Sequence, residues 1–464
     1  MEHRRLLVLL VVLVVSLSLT AWVWHRRGSQ EPPFYLGGIQ VNEASLPHWL
    51  DRLEAVGMNT VSVTDYAHQG DWDSYNLWYD EEVEGELAEI RAAKGRGMHV
   101  VLIARVALDH AFPRNEFLWH GMILPKSEEE LDEWFGRYTA FVLRWAEIAQ
   151  REGVDVLMIG SEMNALTSTL PLTELPPLHD WYLSEEKRRE QKEALLAHGD
   201  VVERRHLAPR GREGYDSLES YLEAQIGTER AWAETTVPSL AAANARRADL
   251  DRRWRELIAR VRAVYDGPLG YAANFDQYQE VGFWDALDVM GINAYFQLRR
   301  ELLPQRDAET LQPLLVEGWR GVLGDIAEVR REQGLEDMPV VFTEMGYTYR
   351  ANSTLEPWAA DGFSLLPVAS ETPAPTAEPE RRLVVWQDQP VDLTERALAV
   401  RALRQAHAEL REPFLAGILY WKLSTEPAHF DVEPFVLLID EGRKDPLLPE
   451  LQAFTARQED DRLP

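Results

Sequence analysis

VDVLMIGSEMN, residues 154–164, and VVFTEMGY, residues 340–347, share one arrangement: a short apolar, β-branched run that ends at a glutamate. Each reads as a buried strand whose C-terminal end presents a carboxyl group, at Glu162 and at Glu344. Outward from these two, the chain repeats an apolar run, a loop and a longer amphipathic stretch. Eight candidate strands result: Tyr35–Gln40, Thr60–Thr64, Val100–Val106, Val154–Ile159, Leu269–Ala273, Ala286–Ile292, Val340–Thr343 and Ala416–Trp421. Between them, stretches such as LPHWLDRLEAVG (46–57) carry helical spacing, and several end in glycine, a usual C-terminal cap. Ser127 followed by three glutamates predicts a capping box at the start of the third helix. Strands alternating with helices eight times predict a closed (β/α)8 TIM barrel. A doubly wound sheet, the alternative, has fewer repeats and a glycine fingerprint that is missing here.

A plain barrel needs roughly 250 residues, and the span from Tyr35 to Ile439 is far longer. Residues 165–250, charged and helical in pattern, form an insertion after the fourth strand and suit a lid. Residues 352–390, which include VASETPAPTAEPERR (368–382), suit a flexible loop. Both follow strands, so both belong to the face where barrels place their active sites. The expected organisation is an N-terminal segment, 1–30, and one barrel domain, 31–455.

The chain has 464 residues, 45% of them hydrophobic, with 16 tryptophans, enough to bury a large core. It has no cysteine, which excludes disulfides, thiol nucleophiles and Cys-ligated zinc or iron–sulfur centres. With 77 acidic against 48 basic residues its formal net charge is -29. Phosphates repel such a body, so no nucleic-acid partner is expected, whereas a neutral carbohydrate is not repelled. The nineteen residues Leu6–Trp24 carry no charge and lie between Arg4, Arg5 and Arg26, Arg27. That length spans a bilayer. A transmembrane signal anchor with an extracytoplasmic domain is expected, a cleaved signal peptide and a secreted domain being the alternative.

Phosphate-loop, dinucleotide, H-E-x-x-H and G-x-S-x-G motifs are absent, and none of the 12 histidines forms an H-x-H pair at a strand end. No metal and no cofactor is expected. What remains at the strand ends is acidic and aromatic. In an eight-stranded barrel, strands four and seven face each other across the mouth. Glu162 and Glu344 could therefore flank a glycosidic bond, one protonating the leaving oxygen while the other attacks the anomeric carbon or activates water. The ordinary reading of each alone is an ion pair with a nearby arginine.

With GMHVVLIARV, FLWHGMILPKSEEELDEWF, GYAANF, VMGINAYF and LYWKL, these two segments resemble the clan A retaining glycoside hydrolases. Within that clan the chain is most similar to family 113, whose characterised members are endo-β-1,4-mannanases. The resemblance covers most of residues 35–440 apart from the two insertions. It implies Glu162 as acid/base and Glu344 as nucleophile, acting on a β-linked polysaccharide or oligosaccharide. Most of the clan has Asn before the acid/base, where it helps hold the sugar 2-hydroxyl; this chain has Ser161. Tyr295, by resemblance, hydrogen-bonds the nucleophile and keeps it ionised, and Trp421 is a floor for the sugar ring. Buried packing is the alternative for both.

Asn274 and Asn293 could hydrogen-bond sugar hydroxyls or merely make turns. Trp119 could be a subsite platform or loop packing, and Arg105 could position a carboxylate, a sugar or a structural ion pair. The loop DYAHQGDWDSYNLWYD (65–80) has the aromatic and polar groups of a glycan cleft. Two other functions stay open: a non-catalytic glycan-binding barrel, and a transglycosylase in which a sugar rather than water resolves the intermediate.

Overall fold

Side chains along a barrel strand alternate between the interior and the surrounding helices. The chain's apolar runs follow that rule in the computed structural model. It describes residues 33–80, 83–109, 119–176, 181–199, 215–236, 239–303, 305–359, 363–367, 382–386, 389–442 and 444–460. Seven parallel strands run in sequence order: β1 (Tyr35–Gln40), β2 (Thr60–Gln69), β3 (His99–Leu108), β4 (Val156–Ser161), β5 (Leu269–Asn274), β6 (Val289–Asn293) and β7 (Val340–Met345). The eighth barrel strand is β10 (Leu415–Ser424), which pairs with β7 on one side and with β1 on the other. That last pairing, with Tyr35 opposite Gly417, closes the barrel, and β11 (Leu437–Leu438) is appended to β10. A Cβ at Gly37 would collide with the Thr60 carbonyl, so the close β1–β2 approach requires glycine there. Alternate residues from several strands, among them Val101, Ile103, Val156, Met158, Val341 and Leu419, fill the interior. The closed (β/α)8 barrel is the fold expected from the strand rhythm.

The outer layer comprises α1 (Leu46–Ala55), α2 (Glu84–Gly95), α3 (Glu128–Glu152), α4 (Asn164–Thr167), α5 (Glu185–Ala197), α6 (Leu218–Thr236), α7 (Leu240–Arg262), α8 (Ala308–Glu332), α9 (Leu393–Ala408) and α10 (Leu447–Asp460). Ser127 and Glu130 exchange the two hydrogen bonds of a capping box at the start of α3. That helix ends at Gly153, whose φ of 70° favours glycine. Between β5 and β6 the chain makes short 3-10 turns, at Tyr278–Glu280 and Trp284–Ala286. The sixth strand consequently starts at Val289 instead of Ala286.

Two expected boundaries change. An insertion ending at residue 250 cuts through α7, which runs unbroken to Arg262 and buries Leu250, Trp254, Leu257, Ile258 and Val261 on one face. It is the barrel helix between β4 and β5; its first half, Leu240–Asp251, buries only Ala243 and Leu250, so the apolar period is weak there. The extra helices are α5 and α6. Leu218, Tyr221 and Leu222 of α6 pack with Leu195 and Leu196 of α5, and Trp232 and Ala233 pack with Trp72. Within 352–390, expected as a flexible loop, β8 (Phe363–Pro367) and β9 (Arg382–Trp386) form an antiparallel pair. The proline-rich stretch between them, residues 368–381, lies outside the described residues. Among the described residues no helix is long and apolar enough to cross a membrane, and the candidate anchor Leu6–Trp24 lies outside them.

Glu89 and Glu356 are both buried. Burial pushes each carboxyl up to about 7, against the Gln40 hydrogen bond in the case of Glu89. Both folded values lie above the ordinary one, so their contribution is complete below the ordinary carboxyl range and lost as pH rises through about 7. Tm is therefore expected to increase when pH is lowered from about 7.5 to about 5.5. The Glu89→Gln, Glu356→Gln double variant should flatten that slope; an unchanged slope in calorimetry would exclude these two groups as its source.

Candidate active site

At the end of β4 the backbone turns sharply. Ser161 is the last strand residue, and Glu162 adopts a φ of 51°, in the left-handed region that non-glycine residues avoid. The Glu162 amide donates to the Ala272 carbonyl of β5 at 2.8 Å, and the Met163 amide donates to Tyr271 Oη at 2.9 Å. The register between β4 and β5 slips between Met158 and Ser161. The turn directs the Glu162 carboxyl to the barrel axis, where Arg105 of β3 meets it.

Arg105 joins the pair. Its Nη2 donates to Glu162 Oε2 at 3.0 Å, and its Nη1 lies 2.7 Å from Glu344 Oε1. One planar guanidinium fork thus serves both carboxyl groups and holds them at short range. Tyr295 Oη donates to Glu344 Oε2 at 2.8 Å, and the Arg105 guanidinium lies 5.4 Å from the centre of the Trp421 ring. His120 Nε2 is 2.7 Å from Glu162 Oε2, where it can donate to the carboxylate or accept from the acid, according to its tautomer. Lys422 Nζ sits 4.6 Å from the centre of the Trp421 ring and pairs with Glu433 at 2.6 Å.

The carboxyl pair titrates as a unit. Burial favours neutral forms of both, but the His120 hydrogen bond and the Arg105 charge outweigh it at Glu162 and hold that group down to about 2. At Glu344 burial prevails: with the Glu162 charge it overrides Arg105 and the Tyr295 hydrogen bond, raising the group to about 7. The site therefore keeps one proton and one negative charge through the weakly acidic range. Tyr295 makes the expected hydrogen bond and does favour the ionised form, but it is too weak to keep Glu344 ionised against burial.

Five of the residues singled out in the sequence thus converge: Glu162, Glu344, Arg105, Tyr295 and Trp421. Ser161 and Asn293 are fully buried, and the Asn293 side chain hydrogen-bonds the Glu162 carboxyl. Asn293 Nδ2 donates to Ser161 Oγ at 3.2 Å and its Oδ1 accepts from Thr343 Oγ1 at 2.7 Å, a brace between the ends of β4, β6 and β7. Asn274 is also buried, and its Oδ1 takes the Phe275 amide at 3.0 Å, the turn role. Trp119 stands beside His120, with ring centres 5.1 Å apart, and lines a neighbouring cavity. His120, Lys422 and Thr343 are the residues that sequence reasoning missed. His120 was within sight, in the FLWHGM segment.

Ile39, Ser62, Thr64 and Trp421 line both a small space at Glu344, too narrow for water, and a groove of about 630 Å³. Gln40, Asn42, Glu43, Glu86, Glu89 and Lys422 are among its walls. Among the described residues no group of three or more His, Asp or Glu side chains is arranged to hold a metal.

A parallel eight-stranded barrel with a carboxyl pair at the ends of its fourth and seventh strands is the arrangement of the barrel glycosidases. The model of Glycoside Hydrolase Family 113 matches residues 40–169 and 224–364, more than half of the chain, and the chain belongs to that family; it is a glycoside hydrolase. Among solved structures, a GH113 β-1,4-mannanase in complex is 17% identical with a TM-score of 0.55, covering 92% of this chain and 99% of its own. The GH113 β-mannanase AaManA from Alicyclobacillus acidocaldarius, in complex with ManMIm, is 18% identical with a TM-score of 0.53, over 92% and 96% of the two chains. At such identities the likeness is one of fold. No curated protein matches the chain in sequence.

Proposed function

We propose that the chain is a retaining β-glycosidase acting on β-1,4-linked mannan or mannooligosaccharides, with Glu162 as acid/base and Glu344 as nucleophile. The single observation that carries this reading is the Arg105 fork, which ties the two carboxyl groups together at short range. Retaining enzymes hold their carboxyl groups about 5 to 5.5 Å apart, whereas inverting ones need about 6.5 to 9.5 Å to admit a water. In the first step the Glu344 carboxylate attacks the anomeric carbon while the Glu162 acid protonates the leaving oxygen. In the second, Glu162 takes a proton from water, which displaces Glu344.

Chemistry needs the pair's proton on Glu162, whereas burial favours it on Glu344. A bound glycoside reverses the preference. Its glycosidic oxygen accepts from protonated Glu162, and positive charge developing at the anomeric carbon favours ionised Glu344. Arg105 contacts both groups and tolerates either arrangement. Trp421, which lines the groove, offers an aromatic surface to the apolar side of a sugar ring.

The substrate is assigned from the mannanases in the same family, and the anchored, extracytoplasmic placement from Leu6–Trp24. The full chain in detergent should release reducing ends from β-mannan with the β-configuration retained at first formation, as read by NMR. Inversion, or cleavage of β-glucan or xylan with mannan left intact, would overturn the mechanism or the substrate respectively.

A further inference from the structure

Glu162 is met by a side chain that no barrel strand supplies. His120 opens a short 3-10 turn, His120–Met122, between β3 and α3, and its Nε2 lies 2.7 Å from Glu162 Oε2. The same oxygen accepts from Arg105 Nη2 at 3.0 Å, and the Asn293 side chain also bonds the carboxyl. Glu344, Tyr271, Tyr295 and Asp276 are the other titratable groups that feel the Glu162 charge. Away from Glu162, the His120 ring stands edge-on to Trp119, with centres 5.1 Å apart.

The turn that carries His120 is fixed from several sides. The Met122 amide donates to the Trp119 carbonyl at 2.9 Å, and the Leu124 amide donates to the Trp72 carbonyl at 2.8 Å. A Cβ at Gly121 would collide with the Trp119 ring, so the residue after His120 must be glycine. From the inserted helix α6, Trp232 Nε1 donates to the Met122 carbonyl at 3.1 Å, and the same indole packs with Trp72. The insertion thus buttresses a contact to the acid/base carboxyl.

An ionised carboxylate accepts on both oxygens, whereas the acid form keeps its hydrogen on one of them. A guanidinium N–H favours the oxygen with more negative charge. With Arg105 on Oε2, the proton of the acid form therefore belongs on Oε1, and His120 Nε2 carries a hydrogen and donates to Oε2. We propose that His120 is a positioning residue for the acid/base. Its donation to Oε2 stops the carboxyl from rotating and leaves Oε1 to carry the proton handed to the leaving oxygen, while α6, through Trp232 and Met122, sets where His120 stands. The assignment rests on the roles given to Glu162 and Glu344. Without this donor the carboxyl turns about its Cγ–Cδ bond, and the proton is no longer kept on the oxygen that delivers it.

The test compares kcat/KM of the full chain in detergent on a β-1,4-mannooligosaccharide and on the corresponding glycosyl fluoride, whose departure needs no proton. His120→Phe keeps a ring beside Trp119 and removes the donor. His120→Ala is a second donor-free variant should phenylalanine shift the turn, and His120→Gln restores an N–H. The donor-free variants should lose about 10- to 100-fold on the oligosaccharide and less than about threefold on the fluoride. The lost hydrogen bond also ceases to favour ionised Glu162, so the alkaline limb of kcat/KM should move to higher pH. His120→Gln should recover most of the rate and return the limb, and Trp232→Phe, which removes the donor to Met122, should show the donor-free pattern at smaller size. Unchanged rates, equal losses on both substrates, a limb that stays in place, or a His120→Gln protein no better than His120→Ala overturns the positioning role alone. Wild-type behaviour of Trp232→Phe overturns the part given to α6. Wild-type protein inert to both substrates overturns the glycosidase roles and the positioning together.

Discussion

Glu344→Gln is expected to lower kcat on β-mannan by about 10⁴-fold or more while leaving the circular dichroism spectrum unchanged. Gln has nearly the same shape and can keep contacts with Arg105 and Tyr295, so the loss reports the missing nucleophile and not a collapsed site. Glu162→Gln should cost about 10²- to 10⁴-fold on the same polymer. On a glycosyl fluoride, whose departure needs no proton, Glu162→Gln should be far less damaging at the first step. A Glu344→Gln protein that keeps a tenth of wild-type activity would remove the nucleophile assignment, and equal losses on polymer and fluoride would remove the acid role of Glu162.

Arg105→Gln should have the second largest effect, on two measurements at once. Arg105 is 5% exposed and is the cation between two buried carboxyl groups. Removing one member of such a buried cluster costs about 3 to 5 kcal/mol when the remaining charges are unpaired. That penalty should appear at alkaline pH, where both glutamates are ionised, and shrink at mildly acidic pH, where the pair retains a proton. Activity should fall by about 10²- to 10³-fold, as for other lost electrostatic stabilisers. In the wild type, kcat/KM should decline above about pH 7 as the last proton leaves the pair. In Arg105→Gln that limb should move to higher pH, because a lost positive neighbour makes the proton harder to remove. Equal stability of variant and wild type at alkaline pH would show that Arg105 is not what reconciles the two charges.

The barrel was legible because each β-strand was a short apolar run with a strong period, and because Glu162 and Glu344 ended two of them. Strand ends were less so. β2 and β3 continue together as far as Gln69 and Leu108, through polar residues whose pairing is set by the neighbouring strand and not by local composition. α7 was cut at residue 250 because its first half, Leu240–Asp251, is rich in alanine and charge and buries only Ala243 and Leu250. At the site, single residue types were ambiguous in proportion to how much their role depends on distant partners. Asn293 bonds Ser161 and Thr343, 132 and 50 residues away, and also the Glu162 carboxyl, partners that only tertiary structure reveals. His120 had no motif to announce it: a lone histidine becomes informative only when a carboxyl group 42 residues further on stands beside it.

The pairing of β1 with β10 has a consequence for how the protein is made. The first strand leaves the ribosome before the other seven, yet one of its two neighbours, Leu415–Ser424, is the last barrel strand to be made. Until then β1 and β7 each present an open edge, the kind of surface that recruits other chains during synthesis. The ring cannot close by degrees from its N-terminal end. A nascent chain truncated before Leu415 would carry both carboxyl groups and seven of the eight strands, and would still be a sheet with two unsatisfied edges.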